Sequence, residues 1–410
     1  MDGGLFGRTT VEQLSPKVCM VWFGSYYPGQ GYTTMYELSQ GLARKGWETH
    51  VITCKRPGEA AEEEVNGVRV HRADLGRWEF ARYIDPRFFR ESIRLLRQEC
   101  FDLVHVYAVV GVSLFPQSVR THGPLGRPTR WIYDIQAGPF LLDSQLFHRL
   151  MNAITRRQCS RYDAVVAICE EVADYVFGPG QRRVAGFSRM GVRVERFRQA
   201  FDAAEKAALR QRYGIGPDDF LLIYSGVLEP RRRPEDLVRA MALVAGEEER
   251  ARLLFVGTGP RLHYLQRRTD ELELAGRVVF AGLVDYLEMP LHLASADAAL
   301  SYIPTRPIGH NLQPFLKTAE YLAGGLPVIC SDTPGHRHFI RDGVNGLLCP
   351  DDPSALAEAI LRLARDPQLL GQLRAGAFAS APRFDWDVVL DKELLPVYRR
   401  LLRLDRGPLA

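Results

Sequence analysis

The chain has no Cys-x-x-Cys pair; its seven cysteines, Cys19, Cys54, Cys100, Cys159, Cys169, Cys330 and Cys349, are scattered. That spacing indicates neither a zinc site nor a disulfide framework. Several of them sit inside apolar runs, where a thiol behaves as a small hydrophobe, so a reducing compartment is expected. Long apolar runs are missing too. None reaches the roughly 18 residues that span a membrane, and the longest, Val106 to Phe115, reads as buried protein. Met1 to Pro16 lack the apolar core of a secretory signal, which makes a cytoplasmic protein the expectation. The formal net charge of +4 is too slight to suggest a nucleic-acid partner. One Asp-x-Asp tripeptide occurs, Asp385-Trp386-Asp387, just before a helical pattern. Aspartates there serve well as N-caps, so no metal site is expected from them.

What is present is an ordinary globular composition, 46% hydrophobic and 25% charged over 410 residues. A chain of this length favours two domains over one core. Short apolar runs alternate with amphipathic helical patterns. Strands are expected at Val18–Phe23, Glu48–Cys54, Val68–His71, Leu103–Val106, Arg130–Ile135 and Ala164–Ile168, with a helix near Thr33–Lys45. The rhythm repeats at Phe220–Tyr224, Arg252–Val256, Val278–Phe280, Ala298–Ser301 and Pro327–Cys330. Such alternation points to two parallel, doubly wound sheets, an α/β fold.

The stretch Gln313 to Ile329 is the richest in chemistry. Pro314 suits a first helical position and Gly324-Gly325 a helix end. Lys317 and Glu320 are then one turn apart on one face near the helix N-terminus. The unpaired N–H groups there attract anions, Lys317 adds a full charge, and a carboxylate one turn on can accept two hydroxyl hydrogen bonds. The plain alternative is a solvated pair on a surface helix.

The run Glu320-Tyr321-Leu322-Ala323-Gly324-Gly325-Leu326-Pro327-Val328 decides between them. It resembles the donor-site signature of the retaining, nucleotide-sugar-dependent glycosyltransferases of the GT-B fold, family 4 type. The likeness continues in Leu254 to Pro260, in Val279 to Val284, in Asp342 to Leu348 and in the helix opened by Asp352-Pro353. It is strong from about 220 to 363 and weaker but continuous before that. The resemblance implies two Rossmann-like domains facing a cleft: an acceptor domain over 1–197, completed by a C-terminal helix in 388–410, and a donor domain over 198–387. It further implies a nucleotide-sugar donor, a glycan, lipid-linked or small-molecule acceptor, and no metal or other cofactor. Two other readings stand beside it, a non-catalytic GT-B module and a sugar-nucleotide epimerase.

Carried onto this sequence, the resemblance makes Lys317 and Arg232 the holders of diphosphate and Glu320 the ribose acceptor. Gly226 and Arg231 belong to the same donor site. Where the family has Gly-Arg-Leu and then Lys-Gly, this chain has Gly226-Val227-Leu228 and then Arg231-Arg232-Arg233, and an arginine can neutralise phosphate oxygens as well. The first of the two glutamates that frame the family motif falls on Leu312, leaving His310, Asn311 or Gln313 to meet the donor sugar. Near the N-terminus, Tyr27-Pro28-Gly29-Gln30-Gly31 follows the first strand, and Gly29 and Gly31 let backbone N–H groups approach a phosphate or sugar. The run is not Gly-x-Gly-x-x-Gly, which disfavours a dehydrogenase. His105 reads as structural. Asp134 ends its strand where many family members place a sugar-facing histidine; it either acts in catalysis or caps the next turn. Asp85 to Arg97 reads as a basic amphipathic helix, with His148-Arg149 and Arg156-Arg157 adding charge. Peripheral membrane contact through 85–97 is one expectation for it; packing of its apolar face into the core is the other.

Overall fold

A computed structural model describes residues 15–24, 26, 33–74, 86–108, 112–138, 144–180, 183–306 and 311–404. Eight strands form the first sheet: β1 Lys17–Val21, β2 Glu48–Cys54, β3 Glu62–Val65, β4 Val68–Ala73, β5 Leu103–Tyr107, β6 Arg130–Ile135, β7 Ala164–Ala167 and β8 Gly186–Phe187. Their order is β3-β4-β2-β1-β5-β6-β7-β8. β1 pairs in parallel with both β2 and β5. At one edge β3, Glu62-Glu63-Glu64-Val65, runs antiparallel to β4. Charged edge strands of this kind discourage pairing with another chain.

Six strands form the second sheet: β9 Phe220–Ser225, β10 Ala251–Val256, β11 Val278–Gly282, β12 Ala298–Ser301, β13 Val328–Ser331 and β14 Gly346–Cys349. The order is β11-β10-β9-β12-β13-β14, parallel at every pairing. Apart from Arg252 and the terminal serines of β9, β12 and β13, these strands are apolar, as expected where helices cover both faces. One core holds Leu222, Tyr224, Leu253 and Phe255 against Leu237, Met241 and Ile360. The other holds Ile223, Leu254 and Val328 against Leu293, Leu322 and Phe339.

The chain groups into two compact units, the described parts of Met1–Asp134, Arg157–Val165 and Tyr398–Ala410, and those of Ile135–Arg156 and Val166–Val397. In the second sheet the winding reverses at β9, which has β10 on one side and β12 on the other. Ligands of doubly wound sheets bind outside the carboxyl ends of the strands at such a point. The segments leaving β9 and β12 carry Gly226 to Arg233 and Tyr302 to Arg306.

The helix Pro86–Glu99 turns Phe88, Leu95 and Leu96 into the core, with the Phe88 ring 4.2 Å from that of Phe23. Asp85 lies outside the described residues. No helix among the described residues is long and apolar enough to cross a membrane.

Candidate active site

The second unit brings the phosphate and ribose candidates together on one helix and one loop. The helix is Leu316–Ala323, with Phe315 rather than Pro314 at its N-cap. Its C-cap is Gly324, and Gly325 follows at φ 73°, the left-handed region where glycine costs nothing. Pro314 thus precedes the cap instead of opening the helix.

Lys317 is buried, with its Nζ 3.8 Å from the centroid of the Tyr224 ring. That Nζ has no hydrogen-bond partner among the described residues. Burial pushes its pKa well below the ordinary lysine value, and the neighbouring Arg232 pushes it further down. Arg232 closes the short 3₁₀ turn Pro230–Arg232 after β9, and its Nε donates to Glu229 Oε1 at 3.0 Å. Gly226 at φ 133° makes room for it, since a Cβ there would lie 3.2 Å from Arg232 Nη1. A lysine and an arginine therefore approach each other, and the more buried of them, Lys317, has no partner for its Nζ among the described residues. A buried charge left without a partner is costly and is kept where an anion arrives.

Glu320 stands one turn past Lys317 and is 7% exposed. The Tyr286 hydroxyl donates to its Oε1 at 2.7 Å. Burial raises the carboxyl from 4.5 to about 7, against the Tyr286 hydrogen bond and the charge of Arg196. The guanidinium of Arg196 lies 5.0 Å from the centroid of the Tyr286 ring.

Arg231 is exposed. Asn311 is buried and donates from Nδ2 to the Thr305 carbonyl at 2.7 Å, while its own carbonyl accepts from Gly335 N–H at 2.9 Å. Gln313 is half-buried, and its carbonyl packs so tightly on Gly335 that a Cβ there would come within 2.1 Å. Leu312 is half-buried and accepts through its carbonyl from the Cys169 thiol at 3.4 Å. Gly29, Gly31 and His310 lie outside the described residues.

Asp134 belongs to the other unit and is fully buried. Its Oδ2 shares a 2.9 Å hydrogen bond with His105 Nε2, and His105 Nδ1 shares one of 2.7 Å with the Tyr398 hydroxyl. The two residues that the sequence presents separately form one internal pair. Asp385 caps the helix Trp386–Val389 by accepting from Asp387 N–H at 2.9 Å, and Asp387 pairs with Arg193 at 2.8 Å.

Tyr224, Tyr286 and Arg196 escape a reading of the sequence. Tyr224 is one more aromatic in an apolar strand, and the other two become neighbours of Glu320 only through the fold.

Two units, each built on a doubly wound sheet of largely parallel strands, with Lys317 and Arg232 at the reversal point of the second, are the parts of a GT-B fold. Residues 32–180 match the model of Glycosyltransferase Family 4, and residues 205–379 match that of the Glycosyl transferases group 1. The chain belongs to the GT-B glycosyltransferases. It is similar to the putative glycosyltransferase EpsD of Bacillus subtilis, 27% identical over 369 residues, covering 88% of this chain and 91% of that protein. A D-inositol 3-phosphate glycosyltransferase of Streptomyces bingchenggensis is 31% identical over 236 residues, 55% of this chain and 50% of that one. The chain thus spans about half the length of that relative. Among solved structures, the sucrose-phosphate synthase of Thermosynechococcus elongatus shares the fold at TM-score 0.76 and 19% identity, over 95% of this chain and 100% of that one. HepE of Anabaena in complex with UDP does so at TM-score 0.69 and 16% identity, over 92% and 98%.

Proposed function

We propose that this glycosyltransferase takes a sugar from a nucleoside diphosphate donor and passes it, with retention at the anomeric carbon and without a metal, to a glycan, lipid-linked or small-molecule acceptor. The observation that carries the donor class is the unpartnered, buried Lys317 ammonium beside Arg232. Two oxygens of a diphosphate would satisfy both cations, and charge-assisted hydrogen bonds of this kind are the strong ones. Ribose hydroxyls would donate to Glu320, which already accepts from Tyr286. The solved neighbour HepE was crystallised with UDP, which supports the same donor class.

As the sugar leaves, negative charge grows on the diphosphate. Lys317 and Arg232, fixed before reaction, stabilise that charge without reorganising. No side chain here is assigned as a nucleophile. The leaving phosphate would take the proton of the acceptor hydroxyl as it attacks on the same face, which preserves configuration. Incubating the pure protein with a panel of nucleotide sugars, with NMR of the product, tests this. An α-linked donor should give an α-linked product, and an inverted centre would rule out the mechanism. Binding without consumption of any donor, under every acceptor tried, would turn the reading towards a non-catalytic module. The exposed Val227 and the half-buried Leu312, both apolar at polar family positions, are what that second reading rests on.

Asp134 is proposed as a positioning residue, acting through His105. Asp134→Asn should lower turnover about tenfold or more while leaving nucleotide affinity unchanged, since the nucleotide contacts lie in the other unit. Equal turnover, with only thermal stability reduced, would assign the pair to folding alone.

A further inference from the structure

Arg233 has a backbone conformation unusual for its type and a set of contacts out of proportion to a surface arginine. It caps the C-terminal end of the turn Pro230–Arg232 at φ 43° and ψ 52°, in the left-handed region. A residue with a side chain pays for that conformation, and it persists where surrounding contacts hold it. Those contacts are ionic. Arg233 Nη2 lies 2.5 Å from Asp236 Oδ2, and Nη1 lies 3.5 Å from Asp351 Oδ1. Asp236 is fully buried in the helix Glu235–Ala245 that follows.

Asp351, just beyond β14, reaches back to the segment leaving β12. Its Oδ2 accepts from the Thr305 N–H at 2.8 Å and from the Thr305 hydroxyl at 2.9 Å, and its Oδ1 accepts from the Tyr302 hydroxyl. The carbonyl of Thr305 is in turn held by Asn311 Nδ2 at 2.7 Å. A continuous chain therefore runs from Arg233 through Asp351 and Thr305 to Asn311. It ties the loop of the phosphate-side arginines to the segment of the sugar-side residues, all within one unit.

We propose that Arg233 and Asp351 are a positioning pair for the donor, locking the segment Tyr302 to Arg306, and with it Asn311, in register with Arg232. The role in donor binding rests on the function proposed above. Neither residue need touch the donor. An oriented but non-reacting contact of this kind acts through placement, where small shifts carry large rate penalties.

The test uses Arg233→Gly and Asp351→Asn in the full chain. Glycine is at ease at φ 43°, which offsets part of the lost ion pairing, and Arg239 still pairs with the buried Asp236, so Arg233→Gly should fold. Hydrogen exchange of peptides covering 302–306 reads the lock directly, and both variants should exchange there about tenfold faster than wild type. Affinities for UDP and GDP, and for the matching UDP- and GDP-hexoses, read the donor role. The variants should lose about tenfold in affinity for the hexose conjugate that wild type binds, and clearly less for its diphosphate. Arg233→Lys, which keeps the charge, should recover part of the loss. Wild-type exchange in 302–306 for Arg233→Gly overturns the proposal, as does faster exchange with unchanged conjugate affinity. A wild type that binds no nucleotide at all removes the donor reading instead; the exchange measurement then still decides whether the lock exists.

Discussion

Replacing Lys317 by methionine should stabilise the ligand-free protein and at the same time weaken nucleoside diphosphate binding by about tenfold or more. The two effects share one cause. In the free protein the Lys317 amino group is buried, stacked over Tyr224 and without a hydrogen-bond partner among the described residues, so it is held at a cost. Methionine matches the length and apolar stem of lysine and carries no charge to desolvate. Removing an unpaired buried polar group returns about 1–3 kcal/mol, seen as a higher Tm. The same ammonium would donate charge-assisted hydrogen bonds to phosphate, each contributing about 1.5–3 kcal/mol, and methionine cannot. Thermal unfolding and calorimetric titration of the one variant check both halves. A variant that is less stable and binds as well as wild type would show that Lys317 serves the core.

The second large effect concerns pH and Glu320. Its carboxyl is raised to about 7 by burial, so near neutrality the free site is about half protonated. A carboxylate that accepts from ribose hydroxyls must be ionised. The Glu320 contribution to affinity should therefore climb by about tenfold per pH unit below 7 and level off above it. Glu320→Gln should bind more weakly at pH 8 and lose this pH dependence. Stability runs the other way. A carboxyl whose folded pKa lies above its unfolded 4.5 contributes stability that is present in full below 4.5 and is lost as pH rises through about 7. For this group the loss is about 3 kcal/mol, so Glu320→Gln should be the more stable protein at pH 8. His50, His336 and His338, pushed down to about 4, 3 and 4 chiefly by burial, act oppositely. They contribute stability above the unfolded histidine value, which is lost as pH falls. The difference between wild type and Glu320→Gln cancels them. Parallel pH profiles of affinity for the two proteins would exclude Glu320 from the nucleotide.

Most of the sheet framework can be read from the sequence, because buried parallel strands write themselves as short apolar runs between helical patterns. β2, β6 and β12 fall on the expected limits, and the other expected strands differ by a residue or two at their ends. Three strands escape. β3 is three glutamates and a valine, an edge whose pairing with β4 owes nothing to burial. β8 is two residues long, and β14 lies inside a motif too short to show a period. On the site, Lys317 and Glu320 are visible because helix spacing puts them on one face and the run from Glu320 to Val328 resembles a family motif. The Asp134–His105 pair and the Arg233–Asp351 contact are invisible for the opposite reason. Each joins residues from different strands or loops, and no local pattern encodes which will meet.

A structure of the protein with its nucleoside diphosphate bound tests the central claim most directly. The account predicts phosphate oxygens within hydrogen-bond distance of Lys317 Nζ and of the Arg232 guanidinium, with ribose hydroxyls on Glu320. A nucleotide seated away from the helix Leu316–Ala323, with the Lys317 ammonium still over Tyr224 and touching no phosphate, would contradict it.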